Sequence, residues 1–263
     1  MRLKVDLLPQ GPYPDVVVLI DVLRTSTVAP ILFDKGLSHL YLCPSLRASR
    51  AVALRHGHLL FGERGGMPPE GFNYGNSPAE LLAAVLDARG AVLTSENAPR
   101  TLPALSQARH LLLGSLYNAD AAAARAAELA REEVALVCSG FAGHEDLDDT
   151  LGAGFLAARL KQIFPEAELA GAAALAIGLL KAFPDPLEGL WQSRSGHYLR
   201  RLGLSEDIVV ASLVSHSQQV PELTDTSEEE GSSLYCFEAG AAASHHTGGA
   251  PPQRAEQLTA SSR

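Results

Sequence analysis

Six apolar runs of strand length, separated by segments with helical spacing, constrain this chain more than any other feature. The first, "DVVVLID" (15–21), is β-branched and continuous, as a strand buried on both faces would be. "LSHLYLC", "HLLFGE", "GAVLTSE", "HLLLGS" and "EVALVCSG" follow in order. Between them, "TSTVAPILFDKG", "PSLRASRAVALRHG", "SPAELLAAVLDARG" and "NADAAAARAAELAREE" read as helices, with Pro30 placed in a first turn or at a kink and Gly57 as a C-cap. A further helix begins near "HEDLDD". Such alternation predicts an α/β fold, a three-layer α/β/α arrangement around a mixed, largely parallel sheet. Two helical segments are expected around 167–183 and 186–203. "EDIVVASLV" and "SSLYCFEAG" are expected as late strands that could form an antiparallel edge. The α/β domain is expected over 1–240, and the Ala/Ser/Gly/Pro-rich stretch 241–263 as a disordered tail.

The balance of charge narrows the function. Twenty-one Lys and Arg against 30 Asp and Glu give a net charge of −9, with no basic block, which argues against nucleic acid as the main partner. No apolar run reaches membrane-spanning length, and "MRLKVDLLPQGPYPD" has no signal-peptide pattern, so a cytoplasmic protein with no membrane partner is expected. Cys43, Cys138 and Cys236 are far apart and odd in number, which fits neither a disulfide framework nor a metal-ligand spacing.

Polar residues collect just after the strands, where a parallel sheet binds its ligands. After the first strand come Asp21, Arg24, Thr25 and Ser26. A carboxylate followed by a cation and hydroxyls suits a metal-bridged phosphate. The same residues could equally form a helix cap with a surface arginine. Residues 58–82 are a long connection for a strand and a helix. They carry Glu63 and Arg64 between glycines that permit close backbone approach. At the end of that connection, Ser77, Pro78 and Glu80 have the pattern of a capping box, which leaves Asn73 and Asn76 unexplained. Glu145, Asp146, Asp148 and Asp149 crowd one helix start; Glu145 and Asp149 are expected on one face, and a cation such as Mg²⁺ would relieve their repulsion.

Three phosphatase signatures fail on inspection. "LIDVLRT" has Leu23 where an aspartate-nucleophile motif needs its second Asp. The position six after Cys138 is His144, not Arg. The "RHG" triplet at 55–57 falls at a helix end.

Taken together, "VVVLIDVLRTST", "GERGG…EGFNYGNSPAE", "VLTSEN", "CSG" with "LDD…GAG", and "SGHYLRRLGLSEDI" resemble the 2-phosphosulfolactate phosphatase family, magnesium-dependent enzymes associated with coenzyme M biosynthesis. The resemblance covers roughly residues 1–240. It implies hydrolysis of a small phosphorylated hydroxy acid, with a small anionic phosphorylated substrate as the partner, and is compatible with a homo-oligomer. It places Asp21, Glu63 and Arg64 in the catalytic group, and Arg24, Thr25, Ser26, Asn73, Asn76, Ser77, Asn97, Ser139 and Gly140 around the substrate. Asp21 and Asp149, with Asp148 beside them and Glu63 as a further candidate, are the expected Mg²⁺ ligands, and Glu63 is the first choice of acid or base. Cys138 is expected as a buried strand-end residue. The chain departs from the family where "LTSENAPRT" stands for the usual "TTTNGTRA". Glu96 adds a negative charge there, and Ala98-Pro99 replaces Gly-Thr. Two other readings are a phosphatase of this fold acting on another phosphorylated carboxylic acid, and a non-catalytic phospho-metabolite-binding protein.

Overall fold

A computed structural model describes residues 1–87 and 89–240; the tail expected over 241–263 lies outside the described residues. Ten strands form one mixed sheet. They are β1 (Arg2–Asp6), β2 (Val16–Ile20), β3 (His39–Leu42), β4 (Leu59–Gly62), β5 (Gly90–Thr94), β6 (His110–Gly114), β7 (Glu133–Cys138), β8 (Glu168–Gly171), β9 (Pro221–Glu229) and β10 (Ser232–Ala239). The strand order is β4-β5-β3-β10-β9-β6-β2-β7-β1-β8. β4, β5 and β3 are mutually parallel, as are β6, β2, β7, β1 and β8. β10 pairs antiparallel with β3, and β9 pairs antiparallel with β6, so the β9–β10 hairpin splices the two blocks into one sheet. The expected α/β fold with a mixed, largely parallel sheet is therefore present.

The buried runs explain the layers. Alternate side chains of β2 enter opposite cores: Val16, Val18 and Ile20 on one face, Val17 and Leu19 on the other. Helices α5 (Ala119–Leu129) and α6 (Leu147–Ile163) cover the first face, and α1 (Thr25–Asp34) covers the second. Full burial of both faces is why β2 reads as an unbroken apolar run. Among the described residues, no helix is long and apolar enough to cross a membrane.

Several local expectations hold. Helix α2 (Leu46–His56) ends at Gly57 with φ +67°. Helix α3 (Pro78–Ala83) starts at Ser77, whose Oγ accepts the Glu80 N–H. The box is only half made, because the Glu80 carboxylate turns outward to accept the Gly75 N–H at 3.1 Å. Helix α3 is also shorter than its sequence pattern. The Lys35 ammonium donates to the Leu82 and Ala84 carbonyls, which satisfies groups that another turn would have used.

Other expectations fail. "EDIVVASLV" was expected as a strand, but Ser205–Ala211 is a helix. Ile208 and Ala211, three apart, enter one apolar cluster, and Glu206 and Asp207 occupy the first turn, so packing and the dipole override β propensity. The segment expected as helical from 167 opens with edge strand β8. Strands β1 and β9 had no clear sequence signal. Helices α7 (Ala173–Leu179), α8 (Pro186–Gln192) and α9 (Arg194–Arg201) precede α10 (Ser205–Ala211), and α4 (Ala98–Thr101) is a single turn.

Two carboxylates clamp β2 to β7 at its two ends. At the amino end, Asp15 Oδ2 accepts the Arg131, Glu132 and Glu133 N–H groups at 2.8, 2.6 and 3.0 Å, and Oδ1 accepts from Arg109. Burial pushes the Asp15 carboxyl up, but these donors outweigh it and the net shift is downward. A depressed folded pKa gives stability that is full above the ordinary carboxylate range and is lost as pH falls through the folded value. Asp15→Asn is expected to cost about 1–3 kcal/mol at neutral pH in chemical denaturation, with the difference from the parent closing in acid.

Candidate active site

The carboxyl ends of β2, β4, β5 and β7 converge on a cavity of about 250 Å³. Its lining includes Asp21, Arg24, Thr25, Glu63, Asn76 and Asn97, six of the residues expected from the sequence. Ser95, Glu96, Arg100, Ser195 and Tyr198 complete much of the polar wall.

The turn after β2 is closed by its own side chains. The Asp21 N–H donates to Ser26 Oγ at 2.9 Å, Thr27 Oγ1 donates to the Val22 carbonyl, and Asp21 Oδ1 accepts the Thr25 N–H at 3.3 Å. Asp21 Oδ2 accepts the Ala98 N–H at 3.1 Å, which joins this turn to the start of α4. Thr25 Oγ1 stands 3.0 Å from Ser95 Oγ and accepts a long hydrogen bond from Asn76 Nδ2. Thr25 thus ties together the segments after β2, β4 and β5.

The long connection after β4 is pinned by two glutamates. Glu63 Oε2 accepts the Gly66 N–H at 2.9 Å, and Oε1 accepts the Glu96 N–H at 2.7 Å. Glu96 answers by accepting the Gly65 N–H at 3.2 Å. Gly66 has φ +76°, a left-handed conformation that side chains other than glycine's rarely adopt, so the bend favours glycine. The rest of the connection is used for position. Asn73 is exposed, and its Oδ1 accepts the Leu60 N–H, so it staples the loop to β4 outside the cavity. Arg64 also departs from its expected place. Its guanidinium turns back to the Pro44 and Glu63 carbonyls and does not line the cavity, because those carbonyls satisfy it beside its own loop.

The cation at the centre is Arg24. It is 4% exposed, donates to Asp207 Oδ2 at 2.9 Å, and donates to the Gly66 carbonyl at 2.9 Å. Asp207 is 1% exposed and also accepts from Ser77 Oγ and the Ala79 N–H. Ser77 is therefore a cap and a support for the ion pair, set behind the cavity rather than in its wall. Asp207 was not foreseen as a site residue because its segment reads as a strand; three acids or hydroxyls in "SED" at a helix start were the available signal. Arg100 is exposed on the cavity wall, one turn beyond Asn97 at the start of α4, and is a second cation not expected from the sequence.

A second layer of carboxylates stands behind Asp21. Asp149 Oδ1 accepts the Val22 N–H at 2.8 Å, and Oδ2 accepts the Gly140 N–H at 2.9 Å and the Ser139 hydroxyl at 3.2 Å. This is the clamp of β2 to β7 at the carboxyl end. Gly140, at φ +71°, lets the chain turn there. Asp146 is the N-cap of α6 and also accepts the Arg194 and Ser195 N–H groups of α9. Glu145 is exposed and precedes the helix, so it does not share a helical face with Asp149 as expected. Asp148 is buried, and its Oδ1 has no partner; the same holds for Asn76 Oδ1. Neither Asp148 nor Asp149 lines the cavity.

Burial and mutual repulsion dominate the electrostatics. Burial and the Glu63 charge push Asp21 up against hydrogen bonds from Thr25 and Ala98. Burial and the Asp21 charge push Asp149 up to about 8. Burial and the Asp149 charge push Asp148 well up. Cys138 lies in the apolar cluster, and burial with the Asp149 and Asp148 charges raises its thiol well above its ordinary value. It is a buried strand-end residue, as expected, and does not line the cavity. The donor set is oxygen only, the ligand type of a hard divalent cation, and Asp21 and Glu63 face the cavity with lone pairs beyond those given to N–H groups.

Comparison with known proteins identifies the family. The model of the 2-phosphosulpholactate phosphatase family matches residues 3–226. A protein of Thermus thermophilus named probable 2-phosphosulfolactate phosphatase is 41% identical over 226 residues, covering 85% of this chain and 94% of its own. A protein of Deinococcus radiodurans with the same name is 40% identical over 225 residues, covering 85% and 93%. One from Clostridium acetobutylicum, again with that name, is 28% identical over 212 residues, covering 79% and 89%.

Two outcomes are expected. Asp207→Ala leaves a buried guanidinium without its partner and should cost about 3–5 kcal/mol in chemical denaturation. For Asp149 the folded pKa is raised from 3.8 to about 8, so the folded state holds the extra proton between those values. Its contribution is full below the lower value and is lost as pH rises toward the upper one. In EDTA the melting temperature should fall across that window, and Asp149→Asn should flatten the fall.

Proposed function

The chain belongs to the 2-phosphosulfolactate phosphatase family, a family of phosphoric monoester hydrolases, and from that premise we propose that it hydrolyses 2-phosphosulfolactate to sulfolactate and phosphate with Mg²⁺. One observation carries the reading. The cavity beyond the strand ends combines Asp21 and Glu63 with Arg24 and Arg100, acids for a cation and cations for an anion.

Asp21 and Glu63 would hold the Mg²⁺, with the buried Asp149 holding the turn after β2 in place behind them. When bound, the ion offsets the carboxylate charge and polarises the phosphoryl oxygens. Arg24 spends two donors on Asp207 and the Gly66 carbonyl, which fixes its plane and leaves others for phosphate oxygens. Arg100, exposed on the wall, takes the carboxylate or sulfonate end. The Thr25 and Ser95 hydroxyls offer further donors to the same anion. Glu63 is assigned the proton of the attacking water. The phosphorus–oxygen bond to the substrate carbon breaks as the water oxygen bonds to phosphorus, and the leaving alkoxide takes up a proton. With Arg24 neutralised by Asp207, the remaining lining acids Asp21, Glu63 and Glu96 would repel a substrate carrying several negative charges. Hence the need for a cation. Glu96 favours a second reading, in which a phosphorylated acid with fewer negative charges is the substrate.

The test is phosphate release by EDTA-stripped protein, with and without Mg²⁺, from 2-phosphosulfolactate, 2-phospholactate and phosphoglycolate. Mg²⁺-dependent release from the sulfonate is expected. Release from the carboxylates alone would move the function to the second reading, and none from folded protein would defeat both. Arg100→Ala should lower kcat/KM about tenfold or more, chiefly through KM.

A further inference from the structure

The opposite end of the sheet holds a second group of metal-ligating side chains. His39 opens β3, and Cys236 and Glu238 lie two apart on β10, so all three project from one face. The Phe237–Leu40 pairing sets His39 beside Glu238. His39 Nδ1 and Glu238 Oε1 are 3.1 Å apart, and the Cys236 sulfur lies within 4.8 Å of both. Cys236 is 6% exposed, whereas the His39 and Glu238 side chains are each 46% exposed, so the thiol forms a floor beneath two ligands that open to solvent.

An ion pair over a buried cysteine would need no more than His39 and Glu238. The surroundings go further. The Thr224 hydroxyl donates to the Cys236 carbonyl at 3.3 Å, and Tyr41 pairs with Cys236 across the strands, so the backbone that carries the thiol is held on both sides. Gly90 pairs with His39, and a Cβ on Gly90 would lie 2.3 Å from His58 ring atoms. The missing side chain lets the His58 ring lie over Gly90 and stack on Tyr41, with ring centroids 5.5 Å apart. His56 stacks on His58 at the same distance. One patch thus gathers three imidazoles, a thiol and a carboxylate, and Asp225, which pairs with Cys236 across the hairpin.

We propose that His39, Cys236 and Glu238 bind Zn²⁺ through one nitrogen, one sulfur and one oxygen, with the fourth position open to water. Nitrogen and sulfur donors disfavour Mg²⁺ and Ca²⁺ and suit a borderline-soft ion. Binding forms a sulfur–zinc bond as the thiol releases its proton to solvent. The site spans β3 and β10, at the seam between the hairpin and the β4-β5-β3 block, and lies at the opposite end of β3 from the catalytic cavity.

Co²⁺ is the probe, added to EDTA-stripped full-length protein and followed by absorption. A sulfur-to-cobalt charge-transfer band at one equivalent, displaced by Zn²⁺, is expected. Oxygen-only binding in the catalytic cavity gives no such band, so failure here and failure of the phosphatase reading are separable. Cys236→Ser should abolish the band, and His39→Ala should weaken binding by more than about 100-fold, since even outer-shell losses cost ~10–100-fold. Cys43→Ser and Cys138→Ser should leave the band intact. No band from folded parent protein, or a band that survives Cys236→Ser, would overturn the proposal.

Discussion

The buried ion pair between Arg24 and Asp207 is the contact on which the site depends. Both side chains are almost fully removed from water, so loss of either would leave the other without its partner in the interior. Its reach is wider than two residues. Arg24 also holds the Gly66 carbonyl, while Asp207 holds Ser77 and the Ala79 N–H. One pair therefore fixes the turn after β2, the glycine bend after β4, the start of α3 and the start of α10. The long loop between β4 and α3 is accordingly a wall with defined attachments. Its glycines permit the bend, and its acids and asparagines tie the bend to neighbouring segments.

Around this pair the chain concentrates negative charge. Asp21 and Glu63 face the cavity, and Asp149 and Asp148 stand behind. Backbone N–H groups compensate part of that charge, but burial, with repulsion added to it, still lifts the Asp21, Asp148 and Asp149 carboxyls. A site built this way favours a divalent cation, and the cation in turn admits an anionic substrate. The same Asp149 clamps β2 to β7, as Asp15 does at the other end. The electrostatic strain of the site is thus carried by a clamp of the fold.

The β9–β10 hairpin gives the molecule its second character. It runs antiparallel between two parallel blocks and is part of one continuous sheet. One face of β10 carries the Cys236 thiol and the Glu238 carboxylate beside His39 of β3. A metal there would cross-link the seam between the hairpin and the β4-β5-β3 block, far from the chemistry.

The sequence by itself determined the layers and most of the cavity wall. Unbroken apolar runs such as β2 can be satisfied only inside a sheet covered on both faces, and such a sheet places Asp21, Arg24, Thr25, Glu63 and Asn97 beyond its strand ends. Local chemistry was equally legible where a residue acts on its neighbours, as at Gly57 and Ser77. The tertiary structure decided the rest. Arg64 turned away because the Pro44 carbonyl is near only after folding. Asp207 became the partner of Arg24, 183 positions away, once "EDIVVASLV" had packed as a helix. The order of the sheet, with a late hairpin inserted between early strands, has no local signature. Long-range partners are chosen by which buried charges and carbonyls meet when the layers close, and a pattern of neighbours along the chain carries no record of that meeting.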